Sequence, residues 1–257
     1  GSFFAPLSNW VIGSDTVKDI LDSYVGIDQR RDLPRFASQT FVQWFRARGG
    51  SPSTGSRNKV VLFPDTFTNY NYPELGRAAV HVLETLGYQV LLPDTRCCGR
   101  PMLSTGMLES ARDNARANVE AVLPYIEDGA MLVGLEPSCI LGFRDDYLDL
   151  LGNDAAANRV AENTMLIEEF LIYVRKNGSQ WFDFIKEPGR VFYHGHCHQK
   201  ALTGTQSVED VLRTIPGCVP EEIPSGCCGM AGSFGFESEH YDTSMKIGEK
   251  SLFNFIR

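Results

Sequence analysis

The chain has 257 residues, is 43% hydrophobic and 22% charged, and carries a formal net charge of −8. That balance belongs to a globular protein of one large domain or two small ones. It argues against a nucleic-acid binder, which needs a basic face, and no apolar run approaches the ~18 residues of a membrane span. No signal peptide is legible, and Gly1-Ser2 reads as a cloning remnant that hides any earlier natural start. The seven cysteines are odd in number and sparse for a secreted disulfide scaffold. They read as thiols kept for metal or redox work in a reducing compartment.

In chain order, Trp10 to Gly26 can form a short amphipathic helix. "RRDLPRFASQTFVQWF" follows, with Phe36, Phe41, Trp44 and Phe45 near helical spacing. Residues 1–48 are expected to make a helical arm, whose aromatics pack on something else or cover the main domain's own surface. "ARGGSPSTGSRNK" is rich in Gly and Ser and predicts a linker at 49–58.

Strand and helix then alternate. "KVVLFPD" predicts a buried strand, "LGRAAVHVLETLGY" a helix and "QVLLPD" a strand running into "CCG". "MLESARDNARANVEAVLPYI" predicts a long helix, "AMLVGLEP" a third strand, and "LGFRDDYLDLL" and "ANRVAENTMLIEEFLIYVRKN" two more helices. "RVFYHGH" starts a new strand, "VEDVLRTI" a helix, and "VPEEIPSG" leads into a second "CCG". This pattern implies an α/β fold of βαβ units with mainly parallel sheets. Its sites are expected at the carboxyl ends of the strands.

An internal repeat is visible by counting. Cys97 follows Val61 by 36 residues, and Cys227 follows Val191 by 36. We therefore expect two repeated halves, 59–188 and 189–257. In this register Phe67 is the counterpart of Cys197 and cannot ligate a metal. Cys139 follows Cys98 by 41 residues, and its counterpart would fall beyond Arg257. The expectation is a second half that stops before its own last cysteine.

Sulfur is a soft ligand that suits zinc or iron. Glycine tolerates the dihedrals that turn both thiols of a pair to one side. The candidate ligands are Cys97, Cys98 and Cys139 in the first half, and Cys197, Cys227 and Cys228 in the second. A lone Cys-Cys pair could be two small buried hydrophobes, but two pairs in register favour ligands. Glu136 could complete the first set or accept a hydrogen bond beside it. His196 and His198 share one face of an extended strand end. They could ligate a metal, or merely order the loop. His81 and His240 read as structural and Cys218 as a spectator. "GMAGSFGF" lacks the lysine and spacing of a phosphate loop.

"CCGRP", "EPSC", "HGHCHQKAL" and "SGCCGMAGSFGFE" together resemble the cysteine-rich CCG domains found in heterodisulfide reductase and in the iron–sulfur component of glycolate oxidase. "APLSNW", "PDTFTNYNYPELG" and "LPDTRCCGRPMLSTGMLESAR" bring the chain nearer to the C-terminal region of FAD-linked, iron–sulfur D-2-hydroxyacid dehydrogenases of the D-lactate type. The resemblance covers nearly the whole chain. It implies an electron-transfer module with a 4Fe-4S type cluster on the six cysteines. FAD and ferredoxin-like domains of the same polypeptide would be its partners, with a downstream electron acceptor. Zinc is the alternative metal, in a structural docking domain. A thiol/disulfide redox protein of the heterodisulfide reductase type is the third reading. The module would be inactive alone and cytoplasmic, or peripheral at the inner membrane. The sequence departs from the family at Phe67 and at Glu136, where the first cysteine of Cys-x-x-Cys would stand.

Overall fold

A computed structural model describes residues 4–52, 58–178, 181–185 and 187–257. Gly1-Ser2 and residues 53–57 of the expected linker lie outside them. The chain opens with α1 (Ala5–Ile12) and α2 (Asp15–Ile20), which runs on as a π-helical turn, Leu21–Val25. The helix expected over Trp10 to Gly26 is thus split around Gly13 and Ser14. α3 (Phe41–Ala47) starts at a capping box in which Thr40 and Gln43 satisfy each other's backbone N–H groups.

The main sheet follows as β1 (Lys59–Phe63), α4 (Thr66–Tyr70), α5 (Pro73–Thr85), β2 (Gln89–Leu91), α6 (Arg100–Ser104), α7 (Leu108–Glu127) and β3 (Met131–Gly134). Next come α8 (Pro137–Ile140), α9 (Asp146–Leu150), α10 (Ala155–Glu162), β4 (Thr164–Leu166) and α11 (Ile167–Lys176). The four strands are parallel in the order β2-β1-β3-β4. β4 interrupts a segment whose periodicity reads as one helix. A three-residue strand is too short to leave a period of its own.

β1 is apolar on both faces because both are covered. Val61 and Phe63 join a core with Val119, Val122, Leu132, Phe143 and Tyr147. Val60 and Leu62 point the other way, into a core with Phe41, Phe45, Val80, Leu83 and Phe170. At about 25 cal/mol per Å², burying each such side chain contributes roughly 1.5–3 kcal/mol. α3 therefore packs on the main sheet, although it falls within the segment 1–48.

A second parallel pair, β5 (Arg190–Tyr193) and β6 (Val219–Glu222), encloses α12 (Cys197–Leu202) and α13 (Gln206–Leu212). The chain continues with α14 (Tyr241–Glu249) and α15 (Leu252–Ile256), neither of which was among the expected helices. α13 packs on α11, and α12 packs on α8. The start of the chain reaches across to the loop after the second Cys-Cys-Gly. Asp28 N donates to Phe236 O at 2.8 Å, and Arg31 donates to Gly235 O and to Ser244 Oγ, both at 2.8 Å. Among the described residues no helix is long and apolar enough to cross a membrane.

Candidate metal centre

The first cysteine group lies at the carboxyl ends of β2 and β3. Gly99 adopts φ 86°, a left-handed turn that glycine takes without strain. The turn brings the Cys97 and Cys98 thiols within hydrogen-bonding reach of each other. Gly99 N–H points at Cys97 Sγ, and Arg100 N–H points at Cys98 Sγ. β3 delivers Cys139 on α8, with its sulfur 2.9 Å from Cys98 Sγ. Glu136 caps α8 by accepting from Ser138 N at 3.3 Å and Ser138 Oγ at 2.7 Å.

The turn's carbonyls are held from behind. Asn114 and Asn118 on α7 donate to Cys97 O at 3.2 and 3.3 Å. Tyr147 on α9 donates to Cys98 O at 3.0 Å and accepts from Asn118 at 2.9 Å. Asn118 Oδ1 also accepts from Arg96 N at 2.7 Å. None of these residues stood out in the sequence, although Asn118 interrupts the buried stripe of α7.

The second group repeats the plan. β5 leads through His194, Gly195 and His196 to Cys197, the first residue of α12, and β6 leads to Cys227, Cys228 and Gly229. Gly229 has φ 85°, and its N–H donates to Cys227 Sγ at 3.3 Å. Cys197 lies beside Cys227 and Cys228, close enough for their charges to disfavour its thiolate. Lys200 donates to Ser225 O at 2.8 Å and pairs with Glu222 at 3.0 Å. His194 Nδ1 lies 2.7 Å from Ser225 Oγ. Together these bonds order the strand end that carries Cys227 and Cys228. Cys218 precedes β6, at the opposite end of that strand.

Thiolate formation is disfavoured where sulfurs crowd. The Cys98 thiol beside Cys97 pushes the Cys97 pKa up, and burial adds to it. Cys98 is pushed up to about 12, with the neighbouring Cys139 thiol the largest cause. Cys197 is raised by burial first, then by the charges of Cys227 and Cys228. A bound cation reverses this balance, because it supplies the positive charge that crowded thiolates lack.

His196 and His198 look toward the first group. His196 Nδ1 accepts from His198 N at 3.1 Å, and Nε2 lies 3.7 Å from Glu136 Oε1. His198 Nε2 lies 3.1 Å from an Arg100 guanidinium nitrogen, and Arg100 also pairs with Asp146. These contacts clamp the two groups together. His81 sits edge-on to Trp44. His240 stacks on Phe234 and pairs with Glu237. Among the described residues, the group whose donor atoms all lie within 4.8 Å is Glu237, Glu239 and His240, at the surface. Neither thiol triad is that tight.

Two matched thiol groups, each on a glycine-bent turn at parallel strand ends, define a cysteine-rich protein. Comparison with known proteins gives the particular family. The sequence model described as "CCG: Cysteine-rich domain" matches residues 61–144, the span of the first group. One component of the anaerobic glycerol-3-phosphate dehydrogenase of Escherichia coli is 31% identical over 95% of this chain and 61% of its own length. Lactate utilization protein A of Halalkalibacterium halodurans is 30% identical over 68% of this chain and 72% of its own. D-2-hydroxyglutarate dehydrogenase of Pseudomonas putida is 28% identical over 95% of this chain and 24% of its own. The chain belongs to the CCG cysteine-rich family, and it spans only part of the length of most of these relatives. No solved structure matches it.

Proposed function

We propose that the chain is the iron–sulfur electron-transfer part of an FAD-linked dehydrogenase of D-2-hydroxy acids, of the D-lactate type. The observation that carries this reading is the repeated turn. The two Cys-Cys-Gly segments share a left-handed glycine and an N–H to sulfur hydrogen bond, and each lies beside a third cysteine. Cys97, Cys98 and Cys139 would hold one centre, and Cys197, Cys227 and Cys228 the other. A bound iron–sulfur cluster supplies one-electron transfer at a potential set by its surroundings. The chain's own residues gather the sulfurs at the strand ends, donate backbone N–H bonds to them and exclude water from Cys98 and Cys139, which are buried.

Thiolates suit iron and zinc alike, so metal and sulfide analysis is what separates a cluster from a single zinc ion. Two of the relatives' names support the substrate class, D-2-hydroxyglutarate and lactate being 2-hydroxy acids; glycerol 3-phosphate shares with them only the secondary alcohol. FAD is assigned to another part of the enzyme.

The test is anaerobic purification followed by metal and sulfide analysis and electron paramagnetic resonance (EPR). The reading expects iron and acid-labile sulfide in near-equal amount, and a visible band that dithionite bleaches. Zinc without sulfide, or protein without metal, would refute it.

A further inference from the structure

We infer that Thr66, not Phe67, occupies the place in the first group that Cys197 holds in the second, so that an alcohol stands where the matching centre has a thiolate. The inference rests on the cluster reading and sharpens which residues form the first centre.

Strand pairing carries the argument. Val60 pairs with Val90, and Val191 pairs with Pro220. Cys97 lies seven residues after Val90, and Cys227 seven after Pro220. The two ladders therefore superpose Val60 on Val191. Six residues beyond each lie Thr66 and Cys197. Each is the first residue of the helix that follows the strand, α4 in one case and α12 in the other. Counting from the cysteines by chain length alone sets Val61 on Val191. It slips because the first crossover, from Thr66 to Cys97, is one residue longer than that from Cys197 to Cys227.

Side-chain placement agrees: Cys197 lies close enough to Cys227, and Thr66 close enough to Cys97, to perturb the thiol's ionisation. Two equivalent side chains thus meet two equivalent sulfurs. The residue before each helix plays the same part as well: Asp65 accepts from Thr68 N at 2.9 Å, and His196 accepts from His198 N at 3.1 Å. Phe67 is half exposed, at 50% of its surface. A neutral alcohol binds iron more weakly than a thiolate does. The first centre is therefore one strong ligand short.

The experiment compares wild type, Thr66→Cys and Phe67→Cys after anaerobic reconstitution with ferrous iron and sulfide. Each protein is then challenged with EDTA and assayed for retained iron, sulfide and EPR spectrum. Thr66 is exposed, so the substitution meets no packing. Thr66→Cys gives the first group a fourth thiol where wild type has three in each group, and is expected to retain more iron than wild type after the challenge. Phe67→Cys is expected to match wild type. Wild type that holds iron while Thr66→Cys gains none, with an unchanged spectrum, overturns the inference alone. So does a gain confined to Phe67→Cys. Absence of iron from all three proteins refutes the cluster reading and this inference with it.

Discussion

Alanine at the two motif glycines should have unequal effects. Gly99 and Gly229 share a positive φ, 86° and 85°. A non-glycine residue in that region costs about 1–2 kcal/mol, partly offset because alanine restricts the unfolded chain by ~0.4–1 kcal/mol. The surroundings differ. A Cβ on Gly99 would lie 3.5 Å from Ala111 Cα and 3.6 Å from Ala111 O, ordinary contact distances. A Cβ on Gly229 would lie 3.0 Å from Ser244 C and 3.1 Å from Ser244 Oγ, and closer still to Ser244 O. Ser244 cannot easily yield. It is buried on α14, its N–H is bonded to His240 O at 2.8 Å, and its hydroxyl accepts from Arg31.

Gly99→Ala is therefore expected to cost about 1 kcal/mol. Gly229→Ala adds an overpacking cost of about 1–3 kcal/mol, for a total of about 2–4. At ~2–4 °C per kcal/mol for a chain of this size, the melting points should fall by about 3 °C and about 10 °C. Urea titration and thermal melts of both metal-free variants under reductant measure the difference. Because α14 must shift, Gly229→Ala should also displace Cys227 and Cys228 and lower retained iron. Equal destabilisation of the two variants would refute the reasoning.

Other consequences follow from the same packing. Tyr147→Phe leaves Cys98 O without its donor in a buried site and should cost about 1–2 kcal/mol in urea titration; a neutral result would show that the hydroxyl does not support the turn. Phe41→Ala removes a fully buried ring from the second core. It should cost about 3–5 kcal/mol; a surface-like loss below ~0.5 kcal/mol would place α3 outside the sheet's core. Burial holds the Glu168 carboxyl above its usual range, with hydrogen bonds from its own backbone and from Gln199 opposing the shift. The native state then keeps a proton that the unfolded chain has lost, so stability falls as pH rises from ~4.3 through the folded value. Glu168→Gln removes this loss, so its stability relative to wild type should rise between about pH 4 and neutrality. Urea midpoints at both ends test this, and a pH-independent difference would contradict it.

The order of strands and helices was legible wherever apolar residues repeat over a long enough stretch. β1, α5, α7 and β3 fall where "KVVLF", "LGRAAVHVLETLGY", the 108–127 segment and "AMLVG" put them. β4 was hidden because Thr164–Leu166 lies between two helices whose period runs through it. The role of α3 was hidden because a capped amphipathic helix looks the same whether its apolar face meets this chain's sheet or another surface. Burial of Phe41 and Phe45 resolves that only once β1 is beside them.

The site was legible to the extent that its chemistry is carried by rare residues. Six cysteines at strand ends announce themselves. The residues that aim them do not, because their partners are backbone carbonyls that any sequence possesses. Asn118 shows what could have been noticed. It lies in the stripe Ala111, Ala115, Asn118, Val119, Val122 and Ile126, all buried on one face of α7. An amide there is costly unless its donors and acceptor are met. The structure meets all of them at the first cysteine turn, through Arg96 N, Cys97 O and Tyr147 OH. A polar residue inside an apolar helical stripe is thus a sign that the helix packs against irregular backbone. In this chain the irregular backbone is the turn that holds Cys97 and Cys98.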